Sequence, residues 1–119
     1  MASPCNVQGE NTLIVAGGIR LKDPSDLNEF VEDARKSIPA ARASDGNISF
    51  TCMVDDAVAG EAFMFERWRD ESALQTYLTR PEVAALFAKW GHRIENDVKK
   101  FDASNERSPR DYPPVAEQG

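Results

Sequence analysis

Residues 61–68, EAFMFERW, decide the fold, because apolar side chains fall on both faces of this one predicted strand. Successive strand residues point to opposite faces, so Met64 and Trp68 would share one face while Phe63 and Phe65 share the other. An antiparallel sheet with one solvated face alternates apolar and polar residues, and this segment does not. We therefore expect both faces of the sheet to be covered.

Three further segments are predicted to pair with this strand. Residues 12–21 (TLIVAGGIRL) and 47–54 (NISFTCMV) are rich in β-branched and apolar residues, which is typical of strands. Gly17 and Gly18 indicate a bulge or a close approach of another part of the chain to the first strand. A fourth strand is expected within residues 97–104, with Val98 pointing inward.

Two helical regions are predicted between the strands. Asp23 followed by Pro24 is a helix start, and apolar residues at helical spacing follow it up to Ile38. Asp70 caps the next helix, and Pro81 restarts the chain into a further apolar stripe ending at Trp90.

The resulting order β-α-β-β-α-β is that of a ferredoxin-like split βαβ unit, an α+β fold with a four-stranded antiparallel sheet. The helices would cover one sheet face. No remaining segment of the chain could cover the other, so a second copy of the sheet is the economical cover. We therefore predict a homodimer.

The chain divides into three parts by composition. Residues 1–11 form a polar and flexible lead, residues 12–104 form the folded domain, and residues 105–119 form a polar, Pro-rich tail. This tail is either disordered or laid as an arm over a partner.

Charge and residue usage exclude several classes of function. The 119 residues carry a formal net charge of −6, which disfavours binding to nucleic acid or to anionic membrane surfaces. The longest apolar run, residues 13–19, is far shorter than the ~20 residues of a membrane-spanning helix. The N-terminal residues lack the order of a secretory signal, and two cysteines fit free thiols, so a cytoplasmic location is expected. A single histidine, His92, argues against a histidine-rich metal site.

Three motifs, at residues 42–46 (RASDG), 65–74 (FERWRDESAL) and 77–82 (YLTRPE), resemble those of the antibiotic biosynthesis monooxygenase family. Residues 42–46 (RASDG) resemble the R-A-E-P-G run before that family's second strand, and residues 65–74 (FERWRDESAL) resemble its ERWES-x-x-AL signature. Residues 77–82 (YLTRPE) are similar to the HL-x-SPH continuation. The resemblance implies a dimeric α/β barrel with an apolar pocket between sheet and helices in each subunit. It also implies oxidation of aromatic phenols or quinols by molecular oxygen without metal, haem or flavin, since the electron-rich phenolate reacts with oxygen itself.

The sequence departs from the family's patterns at several positions. Glu82 stands where the proline–histidine pair places its histidine, and Phe87 lies near the axial histidine position of haem-degrading relatives. Leu74 and Met64 replace a tyrosine and an asparagine of the phenol oxygenases. Phe87 at the axial position argues against haem, and no cofactor is expected. Leu74 and Met64 remove polar groups that the phenol oxygenases have.

The candidate site combines a base with apolar walls. Glu66 shares a face with Met64 and Trp68, and a buried carboxylate has a raised proton affinity that suits a base acting on a phenol. His92 is the alternative base, because its ordinary pKa lies near neutrality. The expected pocket walls are Met64, Trp68, Tyr77 and Phe87. Each candidate also has a purely structural interpretation: Trp68, Tyr77 and Phe87 as core, Glu66 as a hydrogen-bonded structural carboxylate, and His92 as a solvated helix end.

Three functions therefore stay open at the level of sequence. The first is a cofactor-independent monooxygenase-like enzyme acting on a small aromatic or quinol compound. The second is a non-catalytic dimeric domain that binds a small apolar ligand, and the third is an isomerase of a small oxygenated metabolite. A catalytic pocket should contain two or more converging polar groups, whereas a binding pocket needs only one.

Overall fold

A computed structural model describes residues 11–110, which form five strands and four helices. The strands are β1 (Thr12–Leu21), β2 (Asn47–Asp56), β3 (Glu61–Trp68), β4 (Ile94–Asn96) and β5 (Lys99–Ala103). The helices are α1 (Leu27–Lys36), α2 (Ile38–Arg42), α3 (Glu71–Leu78) and α4 (Pro81–Trp90). Short 3-10 turns at Pro24–Asp26 and Gly91–Arg93 precede α1 and follow α4. The predicted lead, apart from Asn11, and residues 111–119 of the predicted tail lie outside the described residues.

The strands form one antiparallel sheet in the order β2-β3-β1-β4, with β5 also paired to β1. The predicted ferredoxin-like α+β fold is thus confirmed. Two short strands share the fourth position, because β4 pairs with Ile19–Leu21 of β1 and β5 pairs with Thr12–Ala16.

The interruption of this edge strand lies beside Gly17. Gly17 has a φ of 153°, and a Cβ atom there would lie 2.3 Å from the carbonyl oxygen of Asp97. The N–H of Asp97 donates to the carbonyl of Gly18 at 2.9 Å, which holds the crossing point in place. The predicted close approach at the glycines is therefore confirmed. The strand predicted within residues 97–104 is confirmed as β5, whereas the short β4 that begins at Ile94 was not predicted. Val98 packs against the core as predicted, but it lies between the two strands.

Side-chain caps and proline fix where the helices begin. Asp23 accepts a hydrogen bond from the N–H of Ser25 at 3.0 Å, and Asp70 accepts one from the N–H of Ala73 at 2.9 Å. The first helical region divides at Ser37 because Pro39 has no N–H to donate and fits only the first turn of a new helix, α2.

The helices cover one face of the sheet. Buried strand residues Leu13, Ile19, Ala62 and Trp68 contact this layer, and the core clusters include residues of all four helices. The opposite sheet face, called here the outer face, carries Ile14, Met53, Phe63, Phe65 and Phe101 by strand register. Within residues 11–110 no helix covers the outer face, and 45% of Met53 and 52% of Phe101 are exposed.

Candidate functional site

A cavity of about 260 Å³ lies between the sheet and the helices, and is called here the central cavity. Strands supply its floor and helices α1, α3 and α4 its walls. Its apolar lining includes Val15, Ile19, Phe30, Phe50, Met64, Leu74, Val83, Leu86, Trp90 and Val98.

Glu66 brings a carboxylate to this apolar lining. Strand alternation places it on the helix-facing side of β3, opposite Val15 of β1. The indole Nε1–H of Trp68 donates to Oε1 of Glu66 at 2.9 Å. Burial raises the pKa of the Glu66 carboxyl above its ordinary value, and the hydrogen bond from Trp68 opposes this rise. Among residues 11–110 no donor contacts Oε2, so the second oxygen is available to a ligand.

Tyr77 supplies a second polar group near Glu66. Its side chain is 6% exposed, and its ring packs against Trp68 at 5.1 Å and Phe50 at 5.7 Å between ring centroids. Burial, followed by the negative charge of Glu66, raises the pKa of the Tyr77 phenol, although the nearby Ser37 hydroxyl opposes this rise. The phenol therefore stays protonated at neutral pH and can act as a hydrogen-bond donor.

The outer end of the cavity lies between α3, α4 and the β4–β5 edge, and is called here the mouth. Leu78 and Phe87 are 39% and 54% exposed there, which is unusual for apolar side chains that line a cavity. The polar residues of the lining at this end are Gln75, Asn96, Lys99 and Lys100. Lys100 reaches across the mouth to α3, where its Nζ lies 2.9 Å from Oε2 of Glu71.

The structure brings most of the predicted site residues together. Glu66, Met64, Tyr77 and Phe87 all line the central cavity. Trp68 is fully buried behind the lining and contacts the site through its hydrogen bond to Glu66, so it acts as a support more than as a wall.

His92 lies apart from this group. It is exposed on the 3-10 turn that follows α4 and does not line the cavity. The geometry therefore does not support His92 as a base for a ligand in the cavity.

Sequence reasoning did not find Ser37, Gln75, Asn96 or Lys100. Ser37 lies at a helix junction whose position depends on tertiary packing. Lys100 belongs to a strand whose register cannot be predicted from local sequence. Its pairing with Val15 in the sheet shows that its side chain points toward the helices.

A metal site, a reactive thiol or a membrane-spanning helix among the described residues would also bear on function. Within residues 11–110 no three His, Cys, Asp or Glu side chains gather as metal ligands would, and the expectation of no cofactor stays a prediction. The Cys52 thiol is buried, and burial raises its pKa to about 11, so it is a poor nucleophile at neutral pH. None of the helices formed by residues 11–110 combines the length and apolar character needed to cross a bilayer.

A split βαβ sheet with an apolar cavity beneath its helices defines an α+β domain of the ferredoxin-like class with an internal cavity. Residues 13–89 match the family described as Antibiotic biosynthesis monooxygenase. Since this match spans well over half of the 119 residues, the chain belongs to that family.

Similar proteins support the fold. A Deinococcus radiodurans protein described as a "putative antibiotic biosynthesis monooxygenase" superposes with a TM-score of 0.66 at 18% identity, covering 85% of this chain and 99% of that one. Rv0793 from Mycobacterium tuberculosis gives 0.64 at 21% identity, covering 84% and 99% of the two chains. An uncharacterized Synechocystis protein is 29% identical over 72 residues, which make up 60% of this chain. The chain spans only about half (48%) of the length of that protein.

Proposed function

We propose that this chain is a cofactor-independent monooxygenase that acts on a small aromatic phenol or quinol bound in the central cavity. The observation that carries the proposal is the Glu66 carboxylate in an apolar cavity, with Oε1 held by Trp68. A carboxylate with one oxygen fixed and the other available is oriented to accept a proton from a ligand hydroxyl.

The size of the cavity limits the substrate. Pockets for drug-sized ligands occupy roughly 300–1,000 Å³, and the central cavity of about 260 Å³ falls just below that range. A substrate of one ring or two fused rings fits this volume better than a larger polycyclic compound. The aromatic and aliphatic lining favours a flat apolar body.

The residues of the cavity suit the proton steps of such a reaction. Glu66 accepts the proton of the ring hydroxyl, and the raised pKa of its carboxyl makes it a stronger base than an exposed glutamate. The electron-rich phenolate is then oxidised by O₂ among the apolar side chains of the cavity. One oxygen atom becomes a ring carbonyl, while the other leaves as water with the hydroxyl proton and the hydrogen of the attacked carbon.

Tyr77 favours catalysis over simple ligand binding. Glu66 and Tyr77 both line the cavity, and the charge of Glu66 acts on the Tyr77 phenol. Glu66 and Tyr77 are two neighbouring polar groups among the apolar side chains of the cavity lining, as expected for a catalytic pocket. Tyr77 would donate a hydrogen bond to the oxygen that carries negative charge after proton transfer.

The test is oxygen uptake with a panel of phenols and hydroquinones of one, two and three rings. The Glu66→Gln variant preserves size and hydrogen bonding but removes the base, so turnover should fall by about a hundredfold or more while 1-naphthol still binds. Glu61→Gln, on the same strand but outside the cavity lining, is the matched control and should keep wild-type turnover. Label from ¹⁸O₂ should enter the product.

Two results would contradict the proposal. Equal turnover in Glu66→Gln and wild type would remove Glu66 from the chemistry. Binding of the panel without any oxygen uptake would leave the chain as a ligand-binding domain.

We further propose that two copies of the chain associate through their outer faces. The outer face carries half-buried Phe63 and Phe65 among exposed apolar residues, and contiguous apolar patches of this kind mark interaction surfaces. Wild-type protein should sediment at twice 13.2 kDa. Phe65→Asp should sediment as a monomer or fail to fold, because it places a charge in an apolar contact. Val58→Asp, at a turn position 91% exposed, should leave the dimer intact.

A further inference from the structure

Lys100 lies in the same row of the sheet as Glu66. In the register of the sheet, Val15 is the pairing partner of Glu66 on one side and of Lys100 on the other. All three therefore point toward the helices. Neighbouring strands lie about 4.8 Å apart, so the backbones of Glu66 and Lys100 are separated by about 10 Å across the floor of the central cavity.

The two ends of this row differ in charge and in exposure. Glu66 lies inside the cavity, whereas Lys100 lies at the mouth with 46% of its side chain exposed. Its partner there is Glu71, whose side chain is 51% exposed and which does not line the cavity. Exposed ion pairs contribute little free energy, so a ligand anion can replace the Glu71 carboxylate at modest cost.

We propose that the substrate is an aromatic acid, with a hydroxyl at one end of the ring system for Glu66 and a carboxylate at the other end for Lys100. This assignment rests on the function proposed above and narrows its substrate class. The chain has a net charge of −6, which repels anions in general, so an anionic substrate needs a local cation at the point of entry. Lys100 meets that need without contacting the reacting hydroxyl.

Equilibrium binding of three naphthalene ligands tests the proposal. These are 6-hydroxy-2-naphthoate, its methyl ester and 1-hydroxy-2-naphthoate, with dissociation constants measured by calorimetry in the absence of oxygen. The first has its polar groups at opposite ends, the second lacks the charge, and the third has both groups at one end. Wild-type protein should bind the first ligand about tenfold more tightly than either of the others, as expected for one charge-assisted hydrogen bond.

Three variants identify the source of this preference. Lys100→Met should abolish the preference for the acid over the ester. Glu71→Gln should increase it, because Lys100 then lacks a competing carboxylate. Lys22→Met, which removes an exposed lysine that does not line the cavity, should leave it unchanged. Added salt should reduce the preference in wild type.

Equal binding of acid and ester by the wild type, or an undiminished preference in Lys100→Met, would overturn this inference. If 1-naphthol is still turned over when either of these results is obtained, the proposed monooxygenase function is retained and only the aromatic-acid assignment is wrong. Failure of every ligand, neutral or charged, to bind would overturn both.

Discussion

Replacing Trp68 with phenylalanine removes the only hydrogen-bond donor that residues 11–110 offer to the Glu66 carboxylate. Burial already raises the pKa of that carboxyl, and the bond from Trp68 Nε1, at 2.9 Å, is the opposing influence. A hydrogen bond to a charged group contributes about 1.5–3 kcal/mol, and a shift of one pKa unit corresponds to about 1.4 kcal/mol. Trp68→Phe should therefore raise the pKa of Glu66 further, because the ionised carboxylate loses about 1.5–3 kcal/mol of stabilisation.

The assay is a carbon-13 NMR titration of protein labelled at the glutamate carboxyl groups. The resonance that is absent in Glu66→Gln assigns Glu66. Trp90→Phe is the matched control, because Trp90 is equally buried but donates its indole N–H to Asp33 at 2.9 Å instead. The Trp90→Phe control should leave the pKa of Glu66 unchanged. If Glu66 is the catalytic base, the pH at which turnover falls off on the acid side should be higher in Trp68→Phe than in wild type, in step with the Glu66 pKa.

An unchanged or lowered Glu66 pKa in Trp68→Phe would refute this reasoning. It would mean that Trp68 does not hold the carboxylate in solution, and that the orientation of Glu66 has another origin.

Three further outcomes follow from the same structure. Between the ordinary carboxyl pKa and the raised pKa of Glu66, the folded protein keeps a proton that the unfolded chain has lost, so the free energy of unfolding falls as pH rises. Glu66→Gln should therefore gain stability relative to wild type in urea melts as the pH rises above the ordinary carboxyl pKa, and a difference that stays constant with pH would count against a raised pKa. Gly17→Ala should lower the free energy of unfolding by about 1–3 kcal/mol more than Gly18→Ala does. A Cβ at Gly17 would lie 2.3 Å from Asp97 and the φ there is positive, whereas the nearest atom to a Cβ at Gly18 is 3.9 Å away. Equal urea midpoints for the two variants would show that the backbone at Gly17 relaxes to make room. Cys52, with its pKa raised to about 11, should resist alkylation at about pH 8 in native protein and react in urea, as peptide mass spectrometry can measure.

The third strand could be predicted from sequence because strand alternation is a local property. Residues 61–68 placed Met64, Glu66 and Trp68 on one face, and the sheet register has that arrangement. The caps at Asp23 and Asp70 were predictable for the same reason, since each bonds a backbone N–H within three residues.

The edge strand and the polar half of the site depend on contacts between distant segments. Gly17 contacts Asp97, eighty positions along the chain, and that contact divides the edge into β4 and β5. The position of Lys100 at the cavity mouth follows from the division, so no local pattern could reveal it. Trp68 was predicted as a wall of the cavity, but the structure places it behind the lining, where Tyr77 packs against its ring and Glu66 accepts its N–H.

The proposed function requires that a ring hydroxyl bind at Glu66 inside the central cavity. The most direct measurement is a crystal structure of the complex with 1-naphthol, grown in the absence of oxygen. The naphthol oxygen should lie about 2.6–3.2 Å from Oε2 of Glu66, with the rings between Val15 and Tyr77. A naphthol bound outside this cavity, or bound within it with its hydroxyl directed away from Glu66, would contradict the account.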